Sequence, residues 1–78
     1  MNIYRTNVIE IKKRMAEKRI RTIKELSERS GIGRNTLSKV LNEEIQPSSD
    51  TMEKLVFCLE IPPQDAGSIF FGHPLRDT

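Results

Sequence analysis

The sequence predicts an all-α fold, a compact bundle of five short helices, and three observations carry this. Apolar residues recur at the i, i+3, i+4 spacing of one helical face, as Leu37, Val40 and Leu41 and again as Met52, Leu55, Val56 and Leu59. Helix-start signals, an Asn or Thr followed three residues later by Glu, stand at Asn7–Glu10 and Thr22–Glu25. The stretch 22–40, TIKELSERSGIGRNTLSKV, reads as two short helices joined by a glycine-containing turn. A chain of 78 residues has room for a single domain, 1–78. A domain this small buries only about 60 % of its chain surface, so a partner subunit would add stability.

Residues 1–6 are short and mostly polar, and an arm, a loose tail or a short strand all fit them. The first helix is expected from Val8 to about Lys18, with Val8, Ile11 and Met15 inward and Ile9 or Ala16 flanking. Lys12, Lys13 and Arg14 fall on its outer side. Arg19–Arg21 links it to the second helix, with Ile20 tucked under the link.

The second helix is expected over Ile23–Ser30. The Thr22 hydroxyl and the Glu25 carboxylate can satisfy the free N–H groups of its first turn. Leu26 points inward and Ile23 partly so. Gly31 falls where this helix must stop, and glycine takes the left-handed conformation a helix end needs. Ile32 plugs the turn, and Gly33 stands at the N-cap of a third helix, Arg34–Leu41. Its inward set is Leu37, Val40 and Leu41, which leaves Arg34, Asn35, Ser38 and Lys39 outward.

Residues 42–49 form a loop, in which Pro47 ends any helical continuation and Ser48 or Ser49 can cap the next helix. That fourth helix, Asp50–Leu59, has Asp50 and Glu53 near its N-terminus, where they suit the dipole. Cys58 adjoins the apolar stripe as a small buried hydrophobe. A last helix is expected from Pro63 to about Phe70, short or irregular because Gly67 lies inside it. Ile69, Phe70 and Phe71 form the largest apolar cluster; part must close the core, and the remainder is a candidate dimer contact. Residues 1–6 and 72–78 are expected to be flexible ends.

A formal charge of +2 hides an asymmetry. Residues 12–39 carry ten Lys or Arg against three acids, a net +7, while residues 40–78 carry two against seven, a net −5. A basic half of this kind is the footprint of a phosphate-binding surface. One cysteine cannot make an internal disulfide, no apolar run approaches a membrane span, and the N-terminus lacks the apolar core of a signal peptide. A cytoplasmic protein is therefore expected. There is no Gly-rich phosphate loop, no Cys or His pair at metal spacing, and no Ser-His-Asp set, so neither catalysis nor a cofactor nor a metal is expected.

Leu26, a small residue at 27, Gly31, Ile32, Leu37 and Val40 together resemble the helix-turn-helix of the phage-repressor-like family of prokaryotic DNA-binding domains, the Cro/C1 or Xre type with a lambda-repressor-like fold. The resemblance runs from about Ile11 to Phe70, with the helix-turn-helix at 22–41. Ser27 stands where the family usually has Ala; serine is nearly as small and can bond back to its own helix backbone.

The resemblance implies a prokaryotic or phage-encoded regulator of transcription, a repressor that binds double-stranded DNA as a homodimer. Its operator would be two-fold symmetric, with half-sites about 10 base pairs apart. The first turn of the third helix would enter the major groove, where Arg34 can bond both acceptors of guanine and Asn35 can pair with adenine. Lys39 would reach a base edge or a phosphate, with Ser38 and Thr36 as secondary base contacts. Thr22, Ile23 and Lys24 at the start of the second helix, with Arg21, Gly33 and Asn42, would meet phosphates, and Lys12, Lys13 and Arg14 would approach the backbone. Glu43 and Glu44 would repel a phosphate where the family often has Gly and Lys. A second reading keeps the fold but makes it a protein-interaction module, of antitoxin or anti-repressor type, that holds a protein partner through the acidic C-terminal half.

Overall fold

Four of the five helices begin at a residue suited to a helix start. A computed structural model describes residues 4–74, with only the backbone of Tyr4, His73 and Pro74. The order is β1 (Tyr4–Arg5), α1 (Val8–Glu17), α2 (Ile23–Ser30), α3 (Arg34–Leu41), α4 (Ser49–Leu59), α5 (Pro63–Phe71) and β2 (His73–Pro74). Asn7 Oδ1 accepts from the Glu10 N–H at 3.1 Å, Thr22 Oγ1 from the Glu25 N–H at 3.1 Å, and Ser48 Oγ from the Thr51 N–H at 3.2 Å. Pro63 opens α5, where a missing N–H does no harm. At α3, Gly33 stands at the N-cap and offers no side chain.

The helix ends are less orthodox. α2 stops at Gly31, whose φ of 78° is the left-handed conformation expected of a terminal glycine. Arg19, Glu43 and Glu60 adopt the same conformation at φ 60°, 61° and 53°, although each carries a Cβ. After α1, the Arg19 N–H bonds Ala16 O at 3.0 Å and the Ile20 N–H bonds Met15 O at 2.8 Å, the paired bonds of a Schellman turn. Ile20 and Met15 are both in the core, so the turn is fastened by apolar contact as well. Glu43 and Glu44 repeat the pattern onto Val40 O and Lys39 O.

The core draws on every helix. Ile11, Leu26, Leu37 and Leu55 are fully buried, joined by Val8, Met15, Ile20, Ile32, Leu41, Leu59 and Ile61. Of the residues expected to flank α1's stripe, Ile9 and Ala16 are both exposed. Two ion pairs fasten α1: Arg14 Nη2 to Asp65 Oδ2 at 3.0 Å, and Lys18 Nζ to Glu60 Oε1 at 2.9 Å.

α5 runs unbroken through Gly67 to Phe71, longer and more regular than expected. Tertiary packing overrides the weak propensity, because Ile69 and Phe70 are each 1 % exposed in the core. This corrects the assignment of Ile69 and Phe70 to a dimer contact; of the trio, only Phe71, 51 % exposed, faces outward. The Asn7 N–H donates to Ile69 O and Gln46 Nε2 to Phe70 O, both at 2.7 Å, which holds this last turn against the chain's entry and the α3–α4 loop.

The same bonds bring the two ends of the chain together. Tyr4 pairs with Pro74 and Arg5 with His73 in a two-residue antiparallel ladder. These four residues fall within the stretches 1–6 and 72–78 that were expected as flexible ends. Of the three options for the N-terminal stretch, Tyr4–Arg5 takes the strand. Thr6, buried, donates from Oγ1 to Gln46 Oε1 at 3.1 Å and carries the chain into α1. Residues 1–3 and 75–78 lie outside the described residues. Among the described residues, no helix is long and apolar enough to cross a membrane.

Candidate nucleic-acid interface

α2, the turn and α3 are locked by polar and apolar contacts together. Ser27 Oγ donates to Ile32 O at 2.6 Å, the Ile32 N–H donates to Ser30 Oγ at 3.2 Å, and the Gly31 N–H returns to Ser27 O at 2.9 Å. Ser27 therefore bonds forward across the turn rather than back onto its own helix, the bond a serine there was expected to allow. Beneath it, Leu26 and Leu37 are fully buried and Ile32 nearly so, which fixes the angle between the helices.

Because Leu37, Val40 and Leu41 fill the core, α3 turns its other face to solvent. Arg34, Asn35 and Lys39 are exposed, and Thr36 and Ser38 half-buried. Asn35 and Lys39 are one turn apart on the same side. Ser38 Oγ accepts from Asn42 Nδ2 at 3.4 Å, so Ser38 and Asn42 engage each other at the far end of α3. Neither Arg34 nor Lys39 has an ion-pair partner among the described residues. With no side chain at the cap, the N–H groups of Gly33, Arg34 and Asn35 meet no acceptor among the described residues.

The start of α2 also presents free donors. Glu25 Oε1 accepts from the Arg21 N–H at 3.0 Å, one residue before the cap instead of at Thr22. The N–H groups of Thr22, Ile23 and Lys24 meet no acceptor among the described residues, beside the exposed side chains of Arg21, Thr22 and Lys24. Ile23 packs partly against the core, so only its backbone is offered. Donors at a helix N-terminus and its dipole favour an anion.

Arg21, Ile23 and Asn42 line one hollow together with Lys12 and Arg19, between α1, the α1–α2 link and the end of α3. Arg19, which read as linker, lines this hollow as well. The run Lys18-Arg19-Ile20-Arg21 was the available signal, since a buried Ile20 forces its neighbours outward. Arg14 leaves the basic set. Its guanidinium bonds Glu10 at 3.1 Å and Asp65 at 3.0 Å, while Lys12 and Lys13 stay exposed. Glu43 lies 3.7 Å from Arg5, which offsets part of its charge beside α3.

Two short helices fixed about a glycine turn, the second with an open polar face and a cationic surround, make a helix-turn-helix. A family model, Cro/C1-type HTH DNA-binding domain, matches residues 10–68, and the chain belongs to that family. Searches of curated proteins and of solved structures returned no match.

Proposed function

We propose that this protein is a sequence-specific regulator of transcription, a repressor that binds a two-fold symmetric operator as a dimer. The observation that carries the reading is the first turn of α3, where Arg34 and Asn35 are exposed and, among the described residues, unpaired and adjacent to free N–H groups. Arg34 supplies two donors matched to guanine, and Asn35 a donor and an acceptor matched to adenine. Lys39 extends the contact one turn further, with Thr36 and Ser38 at its margin. Lys24, Arg21, Thr22 and the N–H groups of Ile23 and Gly33 set the register on phosphates, and Asn42 closes the far side. Occupied over a promoter, such a site excludes polymerase.

The partner-binding alternative has weaker support. Asp50, Glu60 and Asp65 of the acidic half are each ion-paired within the chain, to Lys54, Lys18 and Arg14. The test is selection of bound duplexes from a random pool, with the mass of the complex read by light scattering. An enriched two-fold motif bound by two copies is the expected result. Salt-sensitive binding with no enrichment would overturn the reading and favour a surface for a protein partner.

A further inference from the structure

The loop after α3 carries a side chain whose polar atoms are both engaged by distant parts of the chain. Gln46 Oε1 accepts from Thr6 Oγ1 at 3.1 Å, and Gln46 Nε2 donates to Phe70 O at 2.7 Å. Thr6 leads into α1 and Phe70 lies in the last turn of α5, so one carboxamide ties the loop to both ends of the fold, across 40 and 24 residues of chain. The Asn7 N–H donates to Ile69 O at 2.7 Å, which joins those two anchors to each other. Gln46 is half-buried and both anchors are buried, where an unmade bond costs more than it would in water.

On its other side the loop is fastened to α3 itself. The Asn42 N–H bonds Ser38 O at 2.9 Å, the Glu43 N–H bonds Val40 O at 3.1 Å, and the Glu44 N–H bonds Lys39 O at 2.8 Å. Residues 42–44 thus continue from the last turn of α3. Gln46 follows two residues later, and the buried Pro47 after it has a fixed φ. Ile45 alone lies between the two fastenings, so a shift at Gln46 is passed to Asn42, whose side chain is exposed at the end of α3. Arg5 also reaches this loop, at Glu43, but a 3.7 Å pair with both side chains about half exposed is too weak to hold it.

From these bonds we infer that Gln46 is a positioning residue for DNA binding: clamped between Thr6 and the Phe70 carbonyl, it sets where the α3–α4 loop holds Asn42 against the DNA backbone. The inference rests on the DNA-binding reading above, in which Asn42 meets a phosphate, and adds a residue that acts only through the loop. A hydrogen bond to phosphate near ~3 Å tolerates little displacement. A loosened clamp lets the loop wander, and binding must then order it again. Phosphate contacts carry no sequence information, so the loss falls on every duplex alike. The base preference set by Arg34 and Asn35, at the opposite end of α3, stays as it is.

The test is fluorescence anisotropy of the full chain on selected and scrambled duplexes, at a temperature where melts show each variant folded. Gln46→Met keeps the length of the side chain and removes both bonds. Thr6→Val keeps the shape and removes one donor, whereas Thr6→Ser keeps the hydroxyl. Gln46→Met weakens binding to both duplexes by roughly threefold to tenfold, Thr6→Val acts in the same direction, and Thr6→Ser binds as the wild type does. In an Asn42→Ala background Gln46→Met loses most of its effect, while in an Arg34→Ala background it keeps all of it. A folded Gln46→Met with wild-type affinity overturns the role, as does an effect that adds in full to that of Asn42→Ala. Should Gln46→Met not fold, the Thr6 pair decides: equal affinities for Thr6→Val and Thr6→Ser overturn the role. A wild type that binds selected and scrambled duplexes equally is instead the failure of the DNA reading.

Discussion

Arg14 Nη2 donates to Asp65 Oδ2 at 3.0 Å, joining the first helix to the last across 51 residues of chain. Its Nε donates to Glu10 Oε2 at 3.1 Å, so one guanidinium holds two carboxylates. Arg14 is largely covered, but Asp65 is nearly half exposed, which moderates the gain. Arg14→Ala lowers the unfolding free energy by about 1 kcal/mol in urea melts. The salt dependence of DNA binding stays as in the wild type. A slope reduced by one charge would place Arg14 on the phosphate backbone instead.

Ser27 has a bond that alanine cannot supply. Its Oγ reaches Ile32 O at 2.6 Å, half-buried inside the angle between α2 and α3. Ser27→Ala leaves that carbonyl without its donor and lowers stability by about 1 kcal/mol. Thermal melts check this, and a variant as stable as the wild type shows that water replaces the hydroxyl.

Helix bounds were legible in the sequence, but the left-handed residues that close three of the helices were not, for a physical reason. Asn7, Thr22 and Ser48 cap by side-chain chemistry, which a one-dimensional reading recovers. Gly31 marks its helix end in the same way. Arg19 and Glu60 take the left-handed conformation because the buried Ile20 and Ile61 that follow them demand the turn, Glu43 takes it too, and nothing in these side chains announces it. The apolar surplus was misplaced for a related reason. Ile69, Phe70 and Phe71 form a visible cluster, whereas Phe57 is a single residue off the Leu55–Leu59 stripe. That off-stripe position was the signal of its exposure. The outward set of α3 was fully legible, since three inward residues at helical spacing fix the remaining face.

Arg34 and Lys24 differ in what their loss does to DNA recognition. Arg34→Ala loses about 1–3 kcal/mol on the selected site and relaxes the preference at one position of each half-site. Lys24→Ala weakens every sequence alike and lowers the salt slope by about one. Fluorescence anisotropy at several salt concentrations, on selected and scrambled duplexes, separates the two. Equal site preferences for Arg34→Ala and wild type would end the base-reading role.

Cys58 carries a pH signature. Burial pushes its thiol up, and the nearby Arg29 and Lys18 oppose the shift only in part. Folding therefore favours the protonated thiol. The stability it contributes is complete below the ordinary thiol value of 9.0 and is lost as pH climbs through the raised folded value. Measured against Cys58→Ala, which lacks the titration, the wild type loses stability above about pH 9. Parallel curves for the two proteins would contradict this.

Glu43 combines a backbone misfit with a misplaced charge, and two variants separate them. Its φ of 61° costs an L-residue about 1–2 kcal/mol. Glycine removes that strain but adds about 0.5–1 kcal/mol of entropy to the unfolded chain. The Arg5 ion pair, 3.7 Å long with both side chains about half exposed, contributes little to the balance. Glu43→Gly is therefore more stable than wild type by roughly 0.5 kcal/mol in urea melts, while Glu43→Ala is not. Both variants remove a negative charge at the end of α3, so both bind DNA more tightly and by the same factor. A gain in affinity for Glu43→Gly alone would assign the effect to backbone relief, and no gain in either would place this turn away from the phosphates.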